Sequence, residues 1–274
     1  MAILDDWQLW QEAQGLSGRT IVERASTVRH LLDFSGNEPL TITSMDVIRF
    51  IARPGIGDTS RATYHASLRA FFGWMVTVDL RSDDPTAKTP RPRRRKSRPR
   101  PVPGVQLEKI LAAANRRRTR MMILLAALAG LRVHEIAKFR GDDIDWSAHT
   151  LTVTGKGGKT ALLPAHPQII DEGATFPRDG WWFPAYSKQT SASHVTAKAV
   201  SSAIMHTMAR AGYRGKAHQL RHWYGTELLN QGVDLRVVQT LMRHESPATT
   251  AIYTEVDAAR QVAGIGRLSL PSAA

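Results

Sequence analysis

Apolar residues in the first part of the chain recur at helical spacing. Trp7, Leu9 and Trp10 open a first helix, and Ile21, Ala25, Val28, Leu31 and Leu32 mark a second within GRTIVERASTVRHLLDF. A third helix is expected to start from Ser44 as N-cap of MDVIRFIAR and to stop at Pro54 and Gly55. The fourth, TSRATYHASLRAFFGWMV, carries Tyr64, Leu68, Phe71, Phe72 and Met75 on one stripe and Arg61, His65 and Arg69 on a polar face. Further on, PGVQLEKILAAANR and RTRMMILLAALAG predict two more helices, the second largely buried. The period then changes. Leu151 and Val153 alternate with Thr150, Thr152 and Thr154, Gly155, Gly157 and Gly158 supply a turn, and Ala161 to Leu163 form a return strand. Helical spacing resumes at Val200, Ile204 and Met208 and continues through AHQLRHWYGTELLNQG, DLRVVQTLMRH and SPATTAIYTEV. A mainly α protein with a small antiparallel β-sheet is expected: a helical bundle followed by a mixed α+β domain.

One segment breaks every period. AKTPRPRRRKSRPRPVP, residues 87–103, holds five prolines, eight basic residues and no acid. Prolines at this density oppose helix and sheet and favour extended chain. The expected organisation is therefore a helical domain at 1–86, a linker at 87–103 and a second domain at 104–274. The 274 residues carry a net charge of +13, and without the eight linker charges this falls to +5. Such a balance points to a polyanionic partner, nucleic acid first. The linker then reads as a strap along a phosphate backbone, with a plainly solvated basic tract as the alternative.

Several classes of function are excluded. With no cysteine, disulfide scaffolds, Cys-based zinc fingers, iron–sulfur clusters and cysteine nucleophiles are ruled out. The longest apolar run, MMILLAALAGL at Met121–Leu131, is short of the ~20 residues a membrane span needs. No basic leader precedes an apolar core at the N-terminus, so a cytoplasmic protein without a signal peptide is expected. HExxH, Walker and GxSxG motifs are missing, and GKGGK lacks phosphate-loop spacing and falls in a hairpin.

Four local patterns remain. AGLRVHE ends a buried helix and sets Arg132 and Glu135 at i, i+3. Lys156 sits at the tip of the glycine-rich hairpin. HQLR places His218 and Arg221 on one helical face, with Leu220, Trp223 and Tyr224 turned to the core. His244 and Tyr253 lie nine positions apart across a Ser-Pro helix start. The first two also read as a structural ion pair at a helix junction and a plain exposed turn lysine, and each of the four patterns alone is a weak signal.

Their joint order resembles the tyrosine recombinases of the phage integrase family. The motifs AGLRVHEIAKFRGDDID, VTGKGGKTALLP, HQLRHWYGTELL and LMRHESPATTAIYTEV carry the resemblance, which spans essentially the whole chain. It implies a helical core-binding domain, a linker and a catalytic domain of the tyrosine recombinase type. It also implies that Arg132, Lys156, His218, Arg221, His244 and Tyr253 occupy the six active-site positions, with Glu135 supporting Arg132. Arg243 stands where the family commonly has glycine. Lys159 is a second hairpin lysine, and the GKG context around Lys156 favours Lys156.

The chemistry implied is phosphoryl transfer on a DNA backbone. Tyr253 attacks the scissile phosphorus, leaving a 3′-phosphotyrosyl link and a free 5′-hydroxyl. Arg132, Arg221 and His244 suit the charge gained by the non-bridging oxygens. Lys156 protonates the leaving oxygen. His218 serves as acid–base partner for a phenol whose ordinary pKa is about 10. No metal, nucleotide or other cofactor is expected, because the bond energy is kept in the covalent intermediate.

The expected partners are double-stranded DNA attachment sites and three further copies of the chain, forming a tetramer on two duplexes. A directionality factor is a candidate further partner, and no membrane is involved. DNA contacts are expected from Arg93, Arg94, Arg95 and Lys96 of the strap and Arg61 and Arg69 of the bundle. Val262, Ile265, Leu268 and Leu270 of the tail are expected to dock either in cis or on a neighbour. A separate arm-binding domain is expected to be missing, hence short recombination sites. Integration is the favoured role. A dimer resolvase of the same family and a type IB topoisomerase-like relaxing enzyme are the alternatives.

Overall fold

The computed structural model describes residues 2–93, 100–155, 158–185 and 193–243. The chain divides into two compact units, Met1–Ser97 and Arg98–Ala274.

The first unit contains helices α1 (Ala2–Ala13), α2 (Gly18–Ser35), α3 (Ser44–Ala52) and α4 (Asp58–Thr77). Trp7, Val28, Leu31, Val47, Phe50, Leu68, Phe71, Phe72 and Met75 interlock in its core, so the predicted stripes face one another. The cap of α3 is Thr43 rather than Ser44. The Thr43 hydroxyl accepts from the Asp46 amide at 3.2 Å, and the Asp46 carboxylate accepts from the Thr43 amide at 3.0 Å. This reciprocal box satisfies two helix-end donors at once and leaves Ser44 inside the first turn. His65 does not lie on the polar face of α4. It is only 6% exposed, and its Nε2 lies 2.8 Å from the hydroxyl of Thr89. The chain after α4 folds back over this part of the helix and buries Thr86 and Thr89 with it. The solvent-facing polar residues of α4 therefore include Arg69 but not His65.

The second unit contains α5 (Gly104–Ala112), α6 (Arg117–Leu128), α7 (Val133–Ala137), β1 (Ile144–Asp145), β2 (Thr150–Thr154), β3 (Thr160–Pro164), α8 (Pro167–Gly173), α9 (Ala197–Arg210), α10 (His218–Asn230) and α11 (Leu235–Leu241). The strands form one antiparallel sheet in the order β1-β2-β3, with Leu151 opposite Leu163 and Val153 opposite Ala161. Leu151, Val153 and Leu163 are buried while the neighbouring threonines of β2 are not, which is the alternation the pattern predicts. Helix α6 is buried from Met121 to Ala127 and forms the middle of the core. The plan is mainly α with a small antiparallel sheet. Three short elements, α7, β1 and α8, are too brief to show a hydrophobic period. The expected helix SPATTAIYTEV lies outside the described residues. Among the described residues no helix is long and apolar enough to cross a membrane.

Candidate active site

Helix α6 ends at Leu128, and two residues later Gly130 turns the chain with φ +60°. A β-carbon at Gly130 would lie 2.6 Å from Cδ1 of Tyr224 on α10. Glycine is thus required twice, for the left-handed backbone and for the close approach. Arg132 therefore does not end the buried helix, as the apolar run suggested. It caps the start of α7 instead.

That position brings Glu135, in the first turn of α7, back onto Arg132. The carboxylate accepts from the Arg132 amide at 2.7 Å and from its Nη1 at 3.0 Å. The Glu135 side chain is 1% exposed and that of Arg132 34%. A carboxylate buried this deeply needs charged or donor partners on both oxygens. The expected i, i+3 pair is thus present, with the guanidinium still open to solvent on one side.

Helix α10 supplies the other two described members. Arg221 is 1% exposed. Its Nη1 donates to the carbonyl of Gly130 and its Nη2 to the carbonyl of Met242, just past the end of α11. A single guanidinium thus holds the turn before Arg132 and the turn before residue 244. His218 is the first residue of α10, and its ring meets His222 edge-on with centroids 4.4 Å apart. Burial, reinforced by the charges of Arg221 and Arg132, pushes the His218 pKa below the ordinary imidazole value. This shift favours the neutral ring, which can accept a proton. Leu220 is in the core, with Trp223 packed at its margin.

Two residues that motif reasoning did not single out as part of the site hold it in place. Arg243 follows α11 with φ +51°. Its Nη2 reaches the second oxygen of Glu135 at 2.8 Å. Gln219 is fully engaged: its Oε1 accepts from the Lys216 amide at 2.7 Å, and its Nε2 donates to the Arg100 carbonyl at 2.8 Å and the Tyr213 hydroxyl at 3.3 Å. The end of the basic tract is thereby fastened to α10 beside His218. Nothing in residue type or spacing marks Gln219. The departure from glycine was the only signal for Arg243.

Arg132, Glu135, His218 and Arg221 are therefore brought together. Lys156, His244 and Tyr253 lie outside the described residues, as do Arg94, Arg95 and Lys96. Lys159 is exposed at the foot of β3, where its carbonyl accepts from the Gly155 amide at 2.8 Å and closes the hairpin. Arg93 and Arg69 are exposed. Arg61 is half-buried beside a cleft of about 200 Å³ that Arg91 and Pro92 also line. Among the described residues no group of three or more His, Asp or Glu side chains is placed to hold a metal ion.

Residues 102–260 match the sequence model described as the phage integrase family. The tyrosine recombinase XerD of Proteus mirabilis is 31% identical over 273 residues, covering 90% of this chain and 86% of that protein. Among solved structures, an integrase from mycobacterium phage Brujita is 43% identical and covers 98% of this chain and 92% of its own, with a TM-score of 0.52. A lambda integrase fragment (residues 75–356), solved as a dimer bound to a COC′ core site, is 18% identical over 93% of this chain and 94% of its own, with a TM-score of 0.76. The likeness to this last structure is one of fold.

Proposed function

This chain belongs to the phage integrase family, and on that premise we propose that it is a site-specific integrase acting through a covalent tyrosine–DNA intermediate. As a tyrosine recombinase it is a DNA strand-transferring enzyme. The observation that carries this reading is the joining of Arg132, held by Glu135, to Arg221 through the turn at Gly130, with His218, its pKa lowered by burial, at the start of the same helix as Arg221.

In this reading the two guanidiniums bind the non-bridging oxygens of the scissile phosphate and stabilise the charge that builds there. Glu135 fixes Arg132 rather than touching DNA. His218 accepts the phenolic proton of Tyr253 as its oxygen attacks phosphorus. His244 adds a donor to the phosphate, and Lys156 delivers a proton to the departing 5′-oxygen. The strap residues Arg93, Arg94, Arg95 and Lys96, with Arg61 and Arg69, neutralise backbone phosphates outside the reacting one.

Duplex DNA as the partner is supported by the lambda integrase relative, a dimer on a core site. Exchange of four strands then calls for four copies of the chain on two duplexes. Integration rather than dimer resolution is supported by the higher identity to the phage integrase, 43%, than to the Xer protein, 31%.

The deciding experiment uses a nicked suicide substrate bearing the attachment site. Wild-type protein should form an SDS-stable protein–DNA adduct, and Tyr253→Phe should form none while binding the duplex within a few-fold of wild type. An adduct from Tyr253→Phe would move the nucleophile elsewhere. Joining of two unlike sites in one assay, without resolution of a two-site dimer, would mark the integrase role.

A further inference from the structure

The Glu135 carboxylate has two guanidinium partners. Arg132 Nη1 lies 3.0 Å from Oε1, and Arg243 Nη2 lies 2.8 Å from Oε2. The side chain of Arg243 is 11% exposed, and its Nη2 also approaches the Gly130 carbonyl at 3.4 Å. Its Nε and Nη1 are buried and have no acceptor among the described residues. Glu135 is therefore the charged group that holds this arginine among the described residues.

The backbone makes the choice of residue more pointed. Arg243 adopts φ +51°, a conformation open to glycine and disfavoured for a side chain with a β-carbon. The chain accepts that strain, together with a third guanidinium beside Arg132 and Arg221. The arrangement is compensated by one shared carboxylate and by a fastening that glycine cannot make. What it fastens is specific. Residue 243 directly precedes His244, and Glu135 directly orients Arg132. Arg243 is the described side chain that links the turn after α11 to Glu135 through a salt bridge.

We propose that Arg243 is a positioning residue for strand cleavage, tying the turn that leads into His244 to the Arg132–Glu135 pair. It acts through Glu135 and does not itself touch the DNA, since its guanidinium is enclosed. This rests on the reading of Arg132 as a phosphate-binding residue. The turn at 243 and the phosphate-binding arginine then move as one body, so the groups on either side keep their mutual distance when the substrate is bound.

The test compares Arg243→Gly, Arg243→Lys, Glu135→Gln and the double variant Arg243→Gly/Glu135→Gln on the nicked substrate. Duplex affinity and single-turnover cleavage at saturating protein are measured separately. Arg243→Gly relaxes the backbone, so it should fold. It should cut about 10- to 100-fold more slowly with duplex affinity within a few-fold of wild type. Arg243→Lys should recover part of the rate, because an ammonium can still reach the carboxylate. In the Glu135→Gln background the glycine substitution should have little further effect, because both changes break the same link. A wild-type cleavage rate for Arg243→Gly would overturn the proposal, as would full additivity in the double variant or a loss confined to affinity. Arg132→Ala, run in parallel, separates the two levels. If it cleaves normally, the reading of the site fails. If it is dead while Arg243→Gly is normal, only the role of Arg243 fails.

Discussion

The α-carbon of Gly130 faces the ring of Tyr224 so closely that a β-carbon there would sit 2.6 Å from Cδ1. The turn is left-handed as well. Gly130→Ala should therefore cost about 2–4 kcal/mol of stability, from backbone strain and overpacking together. Gly73, inside α4 with open space around it, is the matched control. There alanine should stabilise by about 0.5–1 kcal/mol through helix propensity. Urea unfolding midpoints of the two variants, moving in opposite directions, would check both. A neutral Gly130→Ala would show that Tyr224 yields freely.

His218 gives a pH prediction with a definite sign. Its folded-state pKa is lowered, first by burial and then by Arg221 and Arg132. Its contribution to stability is thus fully present above the ordinary value of about 6.5 and is lost as pH falls through the folded value. As the proposed base it stays competent down to the same region. Cleavage by wild type should hold level above about pH 6.5 and decline below it. His218→Gln should lose roughly 100-fold or more in rate at neutral pH, and the acid decline should vanish with it. A decline that survives the substitution would belong to another group.

The two hairpin lysines can be told apart by the leaving group. Lys156→Ala should slow cleavage strongly, because an alkoxide must then depart unprotonated. A 5′-bridging sulfur leaves without an acid, so it should restore the rate of Lys156→Ala. Selective rescue of Lys159→Ala would transfer the role to the second lysine.

The basic tract is tested by salt. Each neutralised phosphate adds about 0.9 to the slope of log affinity against log salt. Changing Arg93, Arg94, Arg95 and Lys96 to Gln should lower the slope by about 2–4. Sequence preference should hardly move, since phosphate contacts position without reading bases. A shifted preference at constant slope would indicate readout of DNA shape. No change in either would make the tract a solvated linker.

The long periodic segments were legible in the sequence for a simple reason. Helix α6 and the β2–β3 pair each bury one face or all faces against the same core, and hydrophobic period reports that burial directly. Failures occur where a different part of the chain decides the environment. His65 has the spacing of a surface residue on α4, but the segment ending at Thr89 folds across it. Ser44 and Thr43 are both good caps, and Asp46 three residues beyond Thr43 settles the choice. Arg132 follows an unbroken apolar run, yet Gly130 has already ended the helix. Within the site, motif spacing marked Arg132, Glu135, His218 and Arg221 without revealing that the carbonyls of Gly130 and Met242 hold Arg221. Gln219 and Arg243 hold those residues through contacts far apart in sequence, which no local pattern encodes.

Arg221 reaches the Gly130 carbonyl across 91 positions of chain and the Met242 carbonyl across 21. That span has a consequence for a protein whose chemistry breaks DNA. During synthesis the N-terminal unit emerges and folds first, because domains generally fold as units in order of translation. The arginine cluster, in contrast, cannot close until residue 242 has been made. A ribosome-bound or prematurely ended chain therefore holds a folded helical bundle while Arg221 still lacks its Met242 partner, and on the proposed reading of the site such a chain leaves DNA uncut.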